Sequence, residues 1–85
     1  MKDEIQLNFK DVNQQILTFC AFRYALGARS YVARAIYDII CANWKNMDPI
    51  TRSKYKTEIR EAINEDRAGS KYEIDDWSRI LTLED

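Results

Sequence analysis

Eighty-five residues leave room for one hydrophobic core, and a chain that is 46% hydrophobic and 12% aromatic is too apolar for a disordered segment of this size. Two Gly and one Pro exclude a loop-rich β-sandwich. Thirteen basic against 14 acidic side chains, a net charge of −1, exclude both a polybasic nucleic-acid coat and a strongly acidic mimic of DNA. The chain has no His, which removes the commonest general base and a common metal ligand, so no catalytic residue, no metal site and no cofactor is expected.

Ile5, Leu7 and Phe9 alternate with Gln6, Asn8 and Lys10. That period of two predicts an extended arm or a short strand over residues 1–10. From Asp11 the period becomes helical. Asp11 is suited to cap a helix over 11–26, with Gln14 reaching back. Val12, Ile16, Leu17, Phe19, Cys20, Tyr24 and Leu26 cover more than half of its circumference, which predicts that this is the central helix of the domain. Gly27 is placed to end it in the left-handed conformation.

Ser30 is the expected cap of a second helix, 31–45, with Val32, Ala35, Ile36, Ile39, Ile40 and Ala42 as its buried stripe and Tyr37, Cys41 and Trp44 beside it. Asp48-Pro49 is the strongest start in the chain, a capping carboxylate before a proline at the first helical position. It opens a third helix, 49–68, that buries Ile50, Tyr55, Ile59, Ala62 and Ile63 and stops at Arg67-Ala68-Gly69. After a polar connector carrying Tyr72, Asp75 or Asp76 is expected to cap a short last helix, 76–83, with Trp77, Ile80 and Leu81 on one side.

These elements make residues 1–85 a single all-α domain, a compact bundle of three main helices plus a short C-terminal one. Phe19, Phe22, Ile36, Ile40, Trp44, Ile59 and Trp77 are its expected core. Cys20 and Cys41 lie in apolar helical runs with no CxxC spacing and read as buried free thiols of a cytoplasmic protein. No segment looks like a secretion signal, and no apolar run approaches the ~20 residues of a membrane span.

Each candidate chemistry has a plainer rival. Nucleophilic catalysis by Cys20 or Cys41 lacks a base to activate the thiol. Glu61 and Glu65, four apart, could share a divalent cation, but a hydrated helix end explains them as well. Arg52, Lys56 and Arg60 recur every fourth residue, and with Arg29 and Arg34 beside them they would follow a phosphate backbone. Glu58 and Glu61 interrupt that row, so a solvated face with internal ion pairs is the simpler reading. The rings of Phe22, Tyr24, Tyr31, Tyr37 and Trp44 are more than a small bundle easily hides. Tyr24, Arg29, Tyr31, Tyr37 and Trp44 are therefore the candidate partner-binding residues, with a host protein or a second copy of the chain as the partner.

In order and spacing, Phe22-Arg23-Tyr24-Ala25-Leu26-Gly27, Tyr31-Val32, Ala42-Asn43-Trp44, Arg67-Ala68-Gly69 and Asp76-Trp77 resemble small uncharacterised proteins of phages, prophages and other mobile elements. Ala28 departs from that pattern, standing where a second Arg is expected. The resemblance implies a context rather than an activity: a protein that binds a host protein, a defence effector for example, and blocks it. The two functional expectations are thus a non-enzymatic protein-binding module and, as the alternative, a small nucleic-acid-binding protein.

Overall fold

The computed structural model describes residues 10–28 and 31–84. The expected arm over 1–10 (all but Lys10), the expected cap Ser30, and Arg29 lie outside the described residues. The remainder is all-helical: α1 (Val12–Ala25), α2 (Tyr31–Ala42), a 3₁₀ turn (Trp44–Asn46), α3 (Pro49–Asn64) and α4 (Lys71–Leu81). No strand occurs among the described residues.

Local chemistry accounts for both ends of α1 and for the start of α3. The Asp11 carboxylate accepts from the backbone N–H groups of Asn13 and Gln14, at 2.9 and 3.3 Å, and starts α1. At the other end, Leu26 (φ −63°, ψ 119°) and Gly27 (φ +84°) form a type II turn closed by Ala28 N–H on Ala25 O at 3.0 Å. Only glycine fits here twice over. Besides the positive φ, a Cβ on Gly27 would stand 2.8 Å from the carbonyl oxygen of Arg67. Asp48 caps α3 through Thr51 N–H at 2.7 Å, with Pro49 at the first position, as the sequence predicts.

α2 stops at Ala42 rather than at residue 45, where the 3₁₀ turn takes over, and α4 stops at Leu81 rather than at 83; two other helix limits differ by more. α3 stops at Asn64 rather than at residue 68, because Asp66 takes the left-handed conformation (φ 55°) ahead of the stop expected at Arg67-Ala68-Gly69. Arg67 N–H then bonds Ala62 O at 2.9 Å and Asp66 N–H bonds Ile63 O at 3.1 Å, the paired bonds of a Schellman ending. The segment this releases allows α4 to start five residues early. Its cap is Ser70, whose Oγ accepts Glu73 N–H at 3.3 Å, and Asp75 and Asp76 lie inside the helix.

The central helix is α2, not α1. α2 packs on both α1 and α4, and α4 packs in turn on α3. Its buried face is Ala33, Tyr37 and Ile40, continuing into Trp44 and Met47, whereas Val32, Ala35 and Ala42 are exposed and Ile36 and Ile39 half-buried. The same spacing of four and then three residues buries Tyr55, Ile59 and Ala62 on α3 and Glu73, Trp77 and Ile80 on α4. α1 buries only Phe22 and Ala25, and Val12, Ile16, Leu17, Cys20 and Tyr24 all face solvent. Ile50 and Ile63, expected inside, are exposed as well.

The core is a set of edge-on rings. Phe22 and Tyr55 meet at 4.7 Å between centroids, Phe19 and Tyr55 at 5.3 Å, and Phe22 and Tyr37 at 6.1 Å. Phe22, Ile40, Trp44, Ile59 and Trp77 are buried as expected, while Phe19 and Ile36 pack against them from the rim. Phe22 and Trp77 are fully enclosed, each contributing roughly 1.5–3 kcal/mol of apolar burial.

Candidate functional site: a tyrosine-lined cleft

The N-terminal ends of α2 and α4 lie side by side, and between them is a cleft of about 630 Å³. Tyr31 and Arg34 enter it from α2, Tyr72 and Asp76 from α4, with Gly69 and Ser70 completing the wall. Tyr31 is 92% exposed and Tyr72 68%, so two rings stand at its mouth with little of their surface buried.

Its floor is a buried polar knot. The Glu73 carboxylate accepts from three donors: the Tyr37 hydroxyl at 2.5 Å and Gly27 N–H at 2.9 Å through Oε2, and Gly69 N–H at 2.7 Å through Oε1. The Trp77 indole N–H donates to the Tyr37 oxygen at 2.9 Å, and Ala25 O lies 3.0 Å from the same hydroxyl as a second acceptor. Burying a carboxylate is costly unless its lone pairs are met, and here the end of α1, the middle of α2 and the α3–α4 connector each supply a donor. Burial first, and then the Glu73 carboxylate, push the Tyr37 phenol far above its ordinary value, so Tyr37 stays protonated.

Above the knot, Arg34 Nε stands 3.8 Å from Asp76 Oδ2, and further along the same helices Arg79 donates to Asp38 at 2.7 Å. That bond, the leading influence on it, raises the Arg79 guanidinium. Burial raises the neighbouring Cys41 thiol and keeps it in its less nucleophilic form.

The structure divides the candidate residues sharply. Tyr24 and Tyr31 are exposed, although Tyr24 does not line the cleft. Tyr37 (1% exposed) and Trp44 (4%) cannot meet a partner: Tyr37 is bound into the knot, and the Trp44 indole donates to the carbonyl of Glu84. The basic row is broken at its centre. Lys56 is only 5% exposed, donates to the carbonyl of Leu83 and lies 5.8 Å from the Trp44 ring centroid, so it pins the C-terminal end instead of facing a phosphate. Arg60 is exposed, Arg52 is half-buried, and Arg34 is paired with Asp76.

Three residues of this region escape a reading based on apolar periodicity: Tyr72, Glu73 and Asp76. A usable signal is present, since Ser70 followed three residues later by Glu73 is the pattern of a capping box. The Glu73 side chain turns instead to Gly69 and Gly27, which no local pattern specifies. Among the described residues no three Cys, Asp or Glu side chains converge as metal ligands, and no helix is long and apolar enough to cross a membrane. No family model, curated protein or solved structure matches this chain.

Proposed function

We propose that this protein is a non-enzymatic protein-binding module that recognises its partner with the cleft between the α2 and α4 N-termini. The supporting observation is the pair of rings at its mouth. Tyr31 and Tyr72 are carried by the first turns of two helices, and the Glu73 knot ties the start of α4 to the middle of α2. Exposed tyrosines on a fixed scaffold give large contact area at small entropic cost, the chemistry of interface hot spots. Arg34 and Asp76 between them offer one group of each charge to orient a partner.

The absence of His from the sequence supports a binding role over a catalytic one. The resemblance to phage and mobile-element proteins supports a host protein as the target, with a defence effector the natural candidate and obstruction as the mode of action. The nucleic-acid alternative gains no such support, because the middle residue of its row, Lys56, is committed to the fold.

A photoreactive phenylalanine analogue replacing Tyr31 tests the proposal. Irradiation of bacteria producing that variant is expected to give a discrete heteromeric adduct, absent when the analogue replaces Arg60 on the exposed face of α3. The proposal fails if position 31 gives no adduct that position 60 does not give.

A further inference from the structure

Asp76 is a buried acid whose needs the fold does not meet. It is 5% exposed and lines the cleft one helical turn after Tyr72, on the same face of α4. Glu73, similarly buried, has its lone pairs met by three donors. Asp76 has nothing comparable. Among the described residues no hydrogen bond reaches its carboxylate. The cation paired with it, Arg34, stands off with Nε at 3.8 Å from Oδ2, beyond the ~3.2 Å of an N–H···O bond. A carboxylate taken this far out of water without donors is costly, and a donor-rich cation entering the cleft offsets that cost.

The rest of the wall suits the same occupant. Tyr31 and Tyr72 present largely exposed rings at the mouth. A ring face attracts a cation, and a guanidinium above all, since its plane also stacks. Of the described side chains lining the cleft, Glu73 and Asp76 are acidic and Arg34 alone is basic, so an anionic ligand meets a net negative wall. The positive end of α4 is already answered by Ser70 and Glu73. We propose that the cleft receives an arginine side chain of the partner protein, with its guanidinium on Asp76 and its plane against the tyrosine rings. Arg34, whose side chain is 55% exposed, yields its place to a planar fork that bonds both carboxylate oxygens.

This rests on the reading of the cleft as the partner site and names the chemistry that fills it. The probe is N-acetyl-argininamide, titrated into the full isotope-labelled chain and followed by NMR. Saturable shifts of the Arg34, Tyr72 and Asp76 amides are expected, with a Kd of ~1–10 mM for so small a fragment. The citrulline analogue, which keeps the shape and loses the charge, is expected to bind at least ~10-fold more weakly. Asp76→Asn is expected to impose the same loss on the arginine probe. Tyr72→Leu, a change at the exposed rim that leaves the fold alone, should weaken the probe ~3-fold, whereas Tyr72→Phe keeps the ring face and the affinity. The proposal is overturned by the absence of a saturable shift, by citrulline or N-acetyl-lysinamide binding as tightly as arginine, or by a Tyr72→Leu chain that binds like wild type. If the Tyr31 photoadduct forms while the probe leaves the cleft untouched, the arginine assignment alone falls. If no adduct forms, the reading of the cleft itself falls.

Discussion

The Tyr37 hydroxyl and the Glu73 carboxylate meet at 2.5 Å in the interior, 36 residues apart in the chain. Through this contact the end of α1, the centre of α2 and the start of α4 share one set of hydrogen bonds, and the cleft that carries Tyr31 and Tyr72 stands directly on it. Tyr37→Phe leaves the Trp77 N–H without its acceptor and removes one donor from Glu73. It is expected to cost ~1–3 kcal/mol in urea unfolding. Glu73→Ala strands three donors and should cost more than Tyr37→Phe. If both changes stay within ~0.5 kcal/mol of wild type, the knot is not what joins these helices.

Gly27 is the second point at which distant segments touch. Gly27→Ala combines a left-handed backbone with a methyl group 2.8 Å from Arg67 O. It is expected to destabilise by ~1–3 kcal/mol and to lower Tm by several degrees in a thermal melt. Gly69 has no positive φ, so Gly69→Ala is expected to cost less.

Lys56→Ala separates a structural lysine from a nucleic-acid ligand. With its ammonium on Leu83 O and beside Trp44, its loss should destabilise by ~1–3 kcal/mol and raise the solvent exposure of Trp44, visible as a red shift of tryptophan emission. Unchanged stability together with weakened binding to a DNA or RNA probe would restore the basic row as a binding surface.

Asp48 gives a pH dependence of known sign. The Thr51 N–H bond holds its carboxyl below the ordinary carboxylate value. Its contribution to stability is therefore complete above that ordinary value and is lost as pH falls through the lower folded one. Asp48→Asn is expected to flatten this part of the acid limb of a stability profile while leaving neutral-pH stability nearly unchanged, since Asn also caps well. An acid limb identical to that of wild type would contradict the assignment.

Much of the fold is legible in the sequence because caps and glycines act locally. Asp11, Gly27 and Asp48-Pro49 behave as their side chains dictate. The ranking of helices is not legible, because apolar content records what a helix can bury and not what covers it. α1 is apolar around more than half of its circumference, yet Val12, Ile16, Leu17, Cys20 and Tyr24 stay exposed. Tyr37 and Trp44 drop out as partner-binding candidates for a related reason: their polar atoms find partners in Glu73 and Glu84, far away in sequence. Asp66 shows the limit of composition rules, since an Asp in the left-handed conformation ended α3 before the glycine was reached.

The binding role of the cleft is tested most directly by competition. The protein is immobilised, loaded with a bacterial lysate, and challenged with excess free wild type or with a free Tyr31→Ala/Tyr72→Ala variant that melts like wild type. At least one retained protein is expected to be released by wild type and held against the variant. If the variant releases every retained protein as completely as wild type does, the two tyrosines recognise nothing and the cleft is not the binding site.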